Sequence, residues 1–156
     1  MKLHLLAVGE RVPRWVSEAC AEYEQRFPPH CPLIIRGVAA ARRGRHPDLD
    51  RIRESEFQAL ASRIPKGAYT VALEQSGRDW STGTLARRLE NWLQTEKDVA
   101  FLIGGPDGLA PAALDTARDK WSLSALTLPH ALVRVIVVEQ LYRAMSILEG
   151  HPYHRA

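Results

Sequence analysis

Cysteine is scarce in this chain: Cys20 and Cys31 are the only two among 156 residues, and they stand eleven apart with no CxxC pair. That spacing supports neither a disulfide scaffold nor a thiolate metal site, so both are expected as reduced, buried side chains. Long hydrophobic runs are missing as well. The apolar run at Leu3–Val8 falls short of the roughly 7–15 residues of a secretory h-region, and no stretch approaches the ~20 of a membrane span. The expectation is a cytoplasmic protein that makes no use of a membrane. Charge of one sign is weak too: 21 Lys and Arg face 18 Asp and Glu, a net charge of +3 with a pI near 9.1. This permits a polyanionic partner without requiring one, and such a partner would need the basic groups gathered on one face. Repeats, low-complexity segments and linkers are absent, which leaves one domain over residues 1–156.

What is present is an ordinary globular balance, 46% hydrophobic against 25% charged, in a chain long enough for a core without staples. Short apolar runs alternate with helical patterns. Leu3–Val8 reads as a buried strand ended at Gly9, and Trp15, Ala19, Tyr23 and Phe27 form one stripe of a helix stopped by Pro28 and Pro29. Leu33–Val38 is a second strand. Residues 39–47 form a loop, after which Asp48 caps a helix with Leu49, Ile52, Leu60 and Ile64 inward. Tyr69–Leu73 is a third strand, and the turn Ser76-Gly77-Arg78-Asp79 leads to a helix carrying Leu85, Leu89 and Trp92. Val99–Ile103 is a fourth, running into Gly104-Gly105-Pro106-Asp107-Gly108. A short helix over Pro111–Ala117 precedes an extended fifth segment, Leu123–Leu128, closed by Pro129. Ala131–Leu148 is the last helix. Its first two turns are apolar almost all round, as in a helix buried on several sides, and a subunit interface would supply one of them. Strands alternating with helices predict an α/β domain with a mainly parallel five-stranded sheet. Ligands of such sheets bind at the carboxyl ends of strands, which selects the loops after Leu73, Ile103 and Leu128.

Four groups of residues invite a chemical reading. The Gly104–Gly108 loop follows a strand and precedes a helix, so a ligand can approach its backbone. It lacks the Gly-Lys-Ser/Thr of a phosphate loop and the spacing of a dinucleotide fingerprint, and on spacing alone a tight turn explains it equally well. In Leu123-Ser124-Ala125-Leu126-Thr127-Leu128, small and hydroxylated residues alternate with leucines; exposed backbone there could bond an adenine edge, although a plain strand and turn has the same pattern. Glu139, Tyr142 and Arg143 share a helix face, whether as a surface ion pair or as an acid, a phenol and a guanidinium beside that loop. The tail His151-Pro152-Tyr153-His154-Arg155 carries aromatic, imidazole and guanidinium groups, which a frayed end does not need. His151 and His154 have a spacing seen in zinc sites but no accompanying ligands, so no metal is expected. Arg42, Arg43, Arg45 and His46 make the densest basic cluster, a solvated loop by default or a grip on phosphates.

Taken together, LIGGPDGL, SLSALTLPHALVRVIVVEQLYRA and the terminal HPYHR resemble the pseudouridine N3-methyltransferases of large-subunit ribosomal RNA, a branch of the SPOUT (trefoil-knotted) methyltransferases. The opening MKLHLLAVGE and the RRGR loop fit too, so the likeness spans essentially the whole chain; residues 74–98 are its least distinctive part. The resemblance implies a single-domain α/β knot, its C-terminal segment threaded through a deep trefoil, and an obligate homodimer. It implies S-adenosylmethionine (SAM) as methyl donor, held by Leu73, Gly104 and Leu123, Ser124, Ala125, Leu126, Thr127 and Leu128. It implies an RNA site in the tail. There His154 is the natural proton acceptor, Arg155 and Arg143 stabilise charge or hold phosphate, and Tyr153 and Tyr142 stack on or orient the base. The implied reaction is methylation of a pseudouridine N3 in 23S ribosomal RNA on the assembled ribosome. An inactive RNA-binding protein of the same fold, a methyltransferase for another RNA such as tRNA, and a nucleotide-binding module without a nucleic-acid partner are the competing readings.

Overall fold

Along the first strand, β1 (Lys2–Val8), Leu3, Leu5 and Ala7 point to one side and Leu6 and Val8 to the other, and all five are buried. A strand apolar on both faces needs cover on both faces, and the computed structural model, which describes residues 1–155, supplies it. The sheet has five strands, all parallel, in the order β2-β1-β4-β3-β5, with β2 Leu33–Val38, β3 Tyr69–Asp79, β4 Asp98–Ile103 and β5 Asp119–Ser122. One face packs Val99, Phe101 and Ile103 of β4 against α1 (Arg14–Glu24), α3 (Thr82–Thr95) and α5 (His130–Leu148). The other packs Ala100 and Leu102 against Phe57 and Leu60 of α2 (Leu49–Ala61) and Ala113 of α4 (Pro111–Thr116). The α/β class and the parallel five-stranded sheet are as expected. Among the described residues no helix is long and apolar enough to cross a membrane.

Four local expectations need correction. The inward stripe of α1 is Val16 and Cys20, continued by half-buried Tyr23 and buried Phe27; Trp15 is 53% exposed. A strict four-residue spacing drifts off one face of a 3.6-residue helix, whereas steps of four, three and four stay on it. Leu49, at the first turn of α2, is exposed rather than inward, although Asp48 caps the helix through Arg51 N–H at 3.3 Å as predicted. The third strand does not stop at Leu73. Trp121 is opposite both Leu73 and Arg78, so Glu74–Gly77 loop out as an enlarged bulge and β3 then resumes to Asp79. Gly77 makes this possible, since a Cβ there would lie 2.6 Å from the Lys120 carbonyl carbon. Finally, the fifth strand is Asp119–Ser122, and Leu123–Leu128 is a loop beyond it.

Both cysteines are free and buried, and burial raises both thiols, Cys31 to about 11. Arg134 is buried in α5, where its Nη2 donates to the Gly9 carbonyl at 3.0 Å. It ties the second turn of α5 to the carboxyl end of β1.

Candidate active site

The bulge of β3 and the carboxyl ends of β4 and β5 meet around a cavity of about 570 Å³. Leu73, Glu74 and Gln75 form one wall, Gly104, Gly105, Pro106 and Gly108 another, and Trp121 and Ser122 the floor side. The loop after β5 lies across it. Leu123, Ser124, Leu126, Thr127 and Leu128 line the cavity; Ala125 does not, and its carbonyl accepts from Gln75 Nε2 at 3.3 Å. The same Gln75 nitrogen donates to Thr127 Oγ1 at 3.3 Å, so the β3 bulge clamps the loop. Leu126 is 72% exposed, an apolar side chain at the lip of a pocket with apolar walls. The volume falls within the roughly 300–1,000 Å³ of small-molecule sites.

The glycine loop holds its own shape. Gly108 N–H donates to the Gly105 carbonyl at 3.0 Å, and Gly108 has φ +79°, a value that favours glycine. A Cβ on Gly104 would stand 2.6 Å from the carbonyl carbon of Gly108 and 2.8 Å from its oxygen. The need for glycine at position 104 therefore arises inside the loop, before any ligand is considered.

The tail is docked rather than frayed. Residues Pro152–Arg155 form a short 3₁₀ turn after Gly150, which has φ +69°. The Tyr153 hydroxyl donates to Glu139 Oε1 at 3.0 Å and stands 2.9 Å from the Tyr23 hydroxyl, which must then donate to it. Arg143 completes the group, with Nη2 2.6 Å from the same Glu139 oxygen and its guanidinium 4.9 Å from the Tyr153 ring centre. Tyr142 packs beneath at 4.8 Å from Tyr153 and is 9% exposed. His154 is half-buried, with Nδ1 buried and lacking a partner among the described residues, and Arg155 is exposed. None of Tyr142, Arg143, Tyr153, His154 and Arg155 lines the cavity of its own chain.

Desolvation, the hydroxyl of Tyr23 and the Glu139 carboxylate all raise the Tyr153 phenol above its ordinary value. The hydrogen bond to Glu139 likewise raises Arg143. Tyr153 is thus held neutral as a donor. A raised folded-state value gives stability that is complete below the unfolded value near 10 and is lost as the pH climbs above it. Tyr153→Phe is expected to flatten this alkaline limb and to cost about 1–2 kcal/mol near neutral pH, the loss of a hydrogen bond to a charged group reduced by solvent at this half-buried site. Thermal unfolding of both proteins between pH 7 and 11 checks it; parallel limbs would remove the phenol from the docking.

A family model described as "Predicted SPOUT methyltransferase" matches residues 1–154. The chain belongs to the SPOUT methyltransferase family. Three relatives named ribosomal RNA large subunit methyltransferase H resemble this SPOUT chain over nearly its full length. That of Thioalkalivibrio sulfidiphilus is 51% identical over 99% of both chains. That of Nitrosococcus oceani is 49% identical over 100% of this chain and 99% of its own, and that of Methylococcus capsulatus 48% over 99% and 100%. Two solved structures resemble this chain in fold at low identity. One, from work on the 2-OH methylation of C/U34 on tRNA, has a TM-score of 0.52 at 15% identity, covering 93% of this chain and 97% of its own. The other, a probable methylase family protein from Haemophilus influenzae, has a TM-score of 0.57 at 8% identity, covering 97% and 69%.

The strand-end rule selects the loops after Leu73, Ile103 and Leu128, and the resemblance names Leu73, Gly104 and 123–128; all of these residues except Ala125 line one cavity. Not legible in the sequence were Glu74 and Gln75, which only the bulge turns toward the cavity, and Trp121, His130 and Val133. A clue to the bulge was present in Gly77, which fits a close approach as well as a turn.

Proposed function

We propose that this chain transfers a methyl group from SAM to N3 of a pseudouridine in large-subunit (23S) ribosomal RNA, acting in the cytoplasm on the assembled ribosome. The observation that carries the reading is the cavity at the β3 bulge and the ends of β4 and β5, walled by glycine-loop backbone and leucines. SAM fits the donors there: Leu73, Leu123 and Leu128 for the faces of an adenine, loop backbone for its edge, and Ser122, Thr127 and Glu74 for hydroxyl and amino groups. Bound there, SAM would supply a methyl group on a sulfonium, ready for a single displacement. No covalent nucleophile is needed, so the chain's task is to hold the RNA base in line and to ease loss of its N3 proton.

The tail serves the base. His154, only half-buried, accepts the imide proton through the part of its ring that reaches solvent. Exposed Arg155 stabilises the developing anion, while Arg143, paired with Glu139, and Tyr142 keep Tyr153 and hence the tail in place. Because no tail residue among those described lines the cavity of its own chain, a homodimer is the natural arrangement, one protomer's tail completing its partner's site. Half-buried Leu132 and Ile136, one turn apart on α5 and outside the chain's own core cluster, offer an apolar strip for that contact. The C-terminal segment is read as threaded through a deep trefoil knot, against the usual rule that chains avoid threading, which sets the Gly104 and 123–128 loops side by side.

The test is incubation of the protein with labelled SAM and, in parallel, purified ribosomes, free subunits and stripped ribosomal RNA. Transfer to ribosomes is expected, with mass mapping placing the label on N3 of a pseudouridine. Failure to label any of the three would overturn the proposal.

A further inference from the structure

A second cavity, of about 330 Å³, lies between the basic loop and the first turns of α2. Arg42, Gly44, His46 and Asp48 line it from the loop side, and Arg51 and Ser55 from the helix. Its charge is unbalanced. Against the guanidiniums of Arg42 and Arg51 stands the single carboxylate of Asp48, which already accepts the Arg51 backbone N–H at 3.3 Å. Neighbouring arginines are committed elsewhere, Arg43 to Asp107 and Arg53 to Asp50. Among the described residues, Arg42 and Arg51 enter no ion pair.

The loop around this cavity is pinned at two points. The Ala41 N–H donates to Oε2 of Glu56 at 3.1 Å, and Glu56 is only 4% exposed within α2. The Arg43 guanidinium pairs with Asp107, whose side chain is 12% exposed in the glycine loop. Glu56 reaches that loop as well, since a Cβ on Gly105 would meet its Oε1 at 3.4 Å. The basic cavity is therefore preorganised and tied to the wall of the first cavity. A solvated charged loop would need neither tether.

We propose that Arg42, His46 and Arg51 form an anchoring pocket for a backbone phosphate of the substrate RNA, held at a set distance from the methyl-transfer site by the Arg43–Asp107 pair. The inference rests on the RNA-methyltransferase reading and adds the contact that this reading leaves open, namely how a chain with a net charge of only +3 holds RNA. Guanidiniums match a phosphate's paired oxygens, and a backbone contact gives affinity without sequence preference.

The experiment measures retention of the dimer on purified ribosomes across a salt series, and methyl transfer on the same samples, for wild type and Arg42→Ala/Arg51→Ala. Both side chains are exposed, so SAM affinity and thermal midpoint should stay at wild-type values. Retention should weaken about ten-fold at 0.1 M salt, and the slope of log affinity against log salt should shrink by about one, the loss of one phosphate contact. Arg63→Ala/Lys66→Ala, which removes the same charge beyond the other end of α2, should change retention by less than about two-fold. Should the double variant fold poorly, Arg42→Gln alone tests the same contact with a smaller change. Transfer with unaltered retention and slope in the variant overturns the anchor. Salt-dependent retention that the variant loses, without transfer by wild type, supports the anchor and overturns the methyltransferase reading instead.

Discussion

A chain lacking residues 151–156 is expected to bind SAM within about two-fold of the full chain and to lose methyl transfer to ribosomes by ~10³ or more, a loss on the scale of general acid–base catalysis. The division follows from the geometry: the cavity is lined from β3, β4, β5, their loops and the start of α5, and the described tail residues, 151–155, contribute nothing to it within the chain. The tail's own supports, Glu139, Arg143 and Tyr142, lie in α5 and remain after truncation, so the loss would read on kcat and not on folding of the sheet. Calorimetry with SAM and single-turnover transfer to ribosomes separate the two effects. Full activity of the truncated chain would end the tail's catalytic role. A mixture sharpens the point. Combining the truncated chain with Gly104→Val yields heterodimers in which one protomer keeps its cavity and the other its tail. If the site is shared between subunits, transfer returns in the mixture; if each chain completes its own site, the mixture stays as inactive as its parts.

How far this arrangement could be read beforehand depended on whether neighbours along the chain or across space decide each feature. The unbroken apolar runs of β1 and β4 and the Asp48 cap are local, and they appear in the structure as written in the residues, whereas α1 ends at Glu24, a turn before Pro28-Pro29. The boundary of β5 is not local. Leu123–Leu128 has the apolar content of a strand, but its leucines line the cavity, while the true strand carries Asp119 and Lys120, charges that the pattern of a buried strand disfavours. Asp119 is explained only by contact: it accepts from the Tyr69 hydroxyl and from Arg88 Nη1 at 2.8 Å, and that arginine sits 4.1 Å over the Trp80 ring. The bulge at Glu74–Gly77 was hidden in the same way, because Ser-Gly-Arg-Asp is turn chemistry until β5 pairs with it. The candidate site followed the same division. Its loops were legible as strand ends, whereas the Tyr23–Tyr153–Glu139 chain joins residues 130 apart in sequence and could come only from the fold.

Replacing Gly104 is the substitution with the largest expected effect on the cofactor, and the structure changes the reason for it. On the residues alone, a side chain at position 104 would fill space that a ligand needs. In the fold, the side chain first meets the loop itself: the Gly108 carbonyl carbon at 2.6 Å and the Leu109 nitrogen at 2.9 Å are backbone atoms and cannot swing aside. The Gly105–Gly108 turn must therefore move as a unit, and it carries Gly105, Pro106 and Gly108 of the cavity wall with it. Overpacking of this kind costs about 1–3 kcal/mol, so Gly104→Ala should weaken SAM by about ten-fold and Gly104→Val by ~100-fold or more. Asp107 rides on the same turn, and its pair with Arg43 would be displaced too, so both variants should also weaken retention on ribosomes. Ligand exclusion alone predicts otherwise, a loss confined to SAM with ribosome retention intact. Calorimetry with SAM beside a salt series on ribosomes distinguishes the two causes, and unchanged SAM affinity in Gly104→Val would remove the glycine loop from the cofactor site.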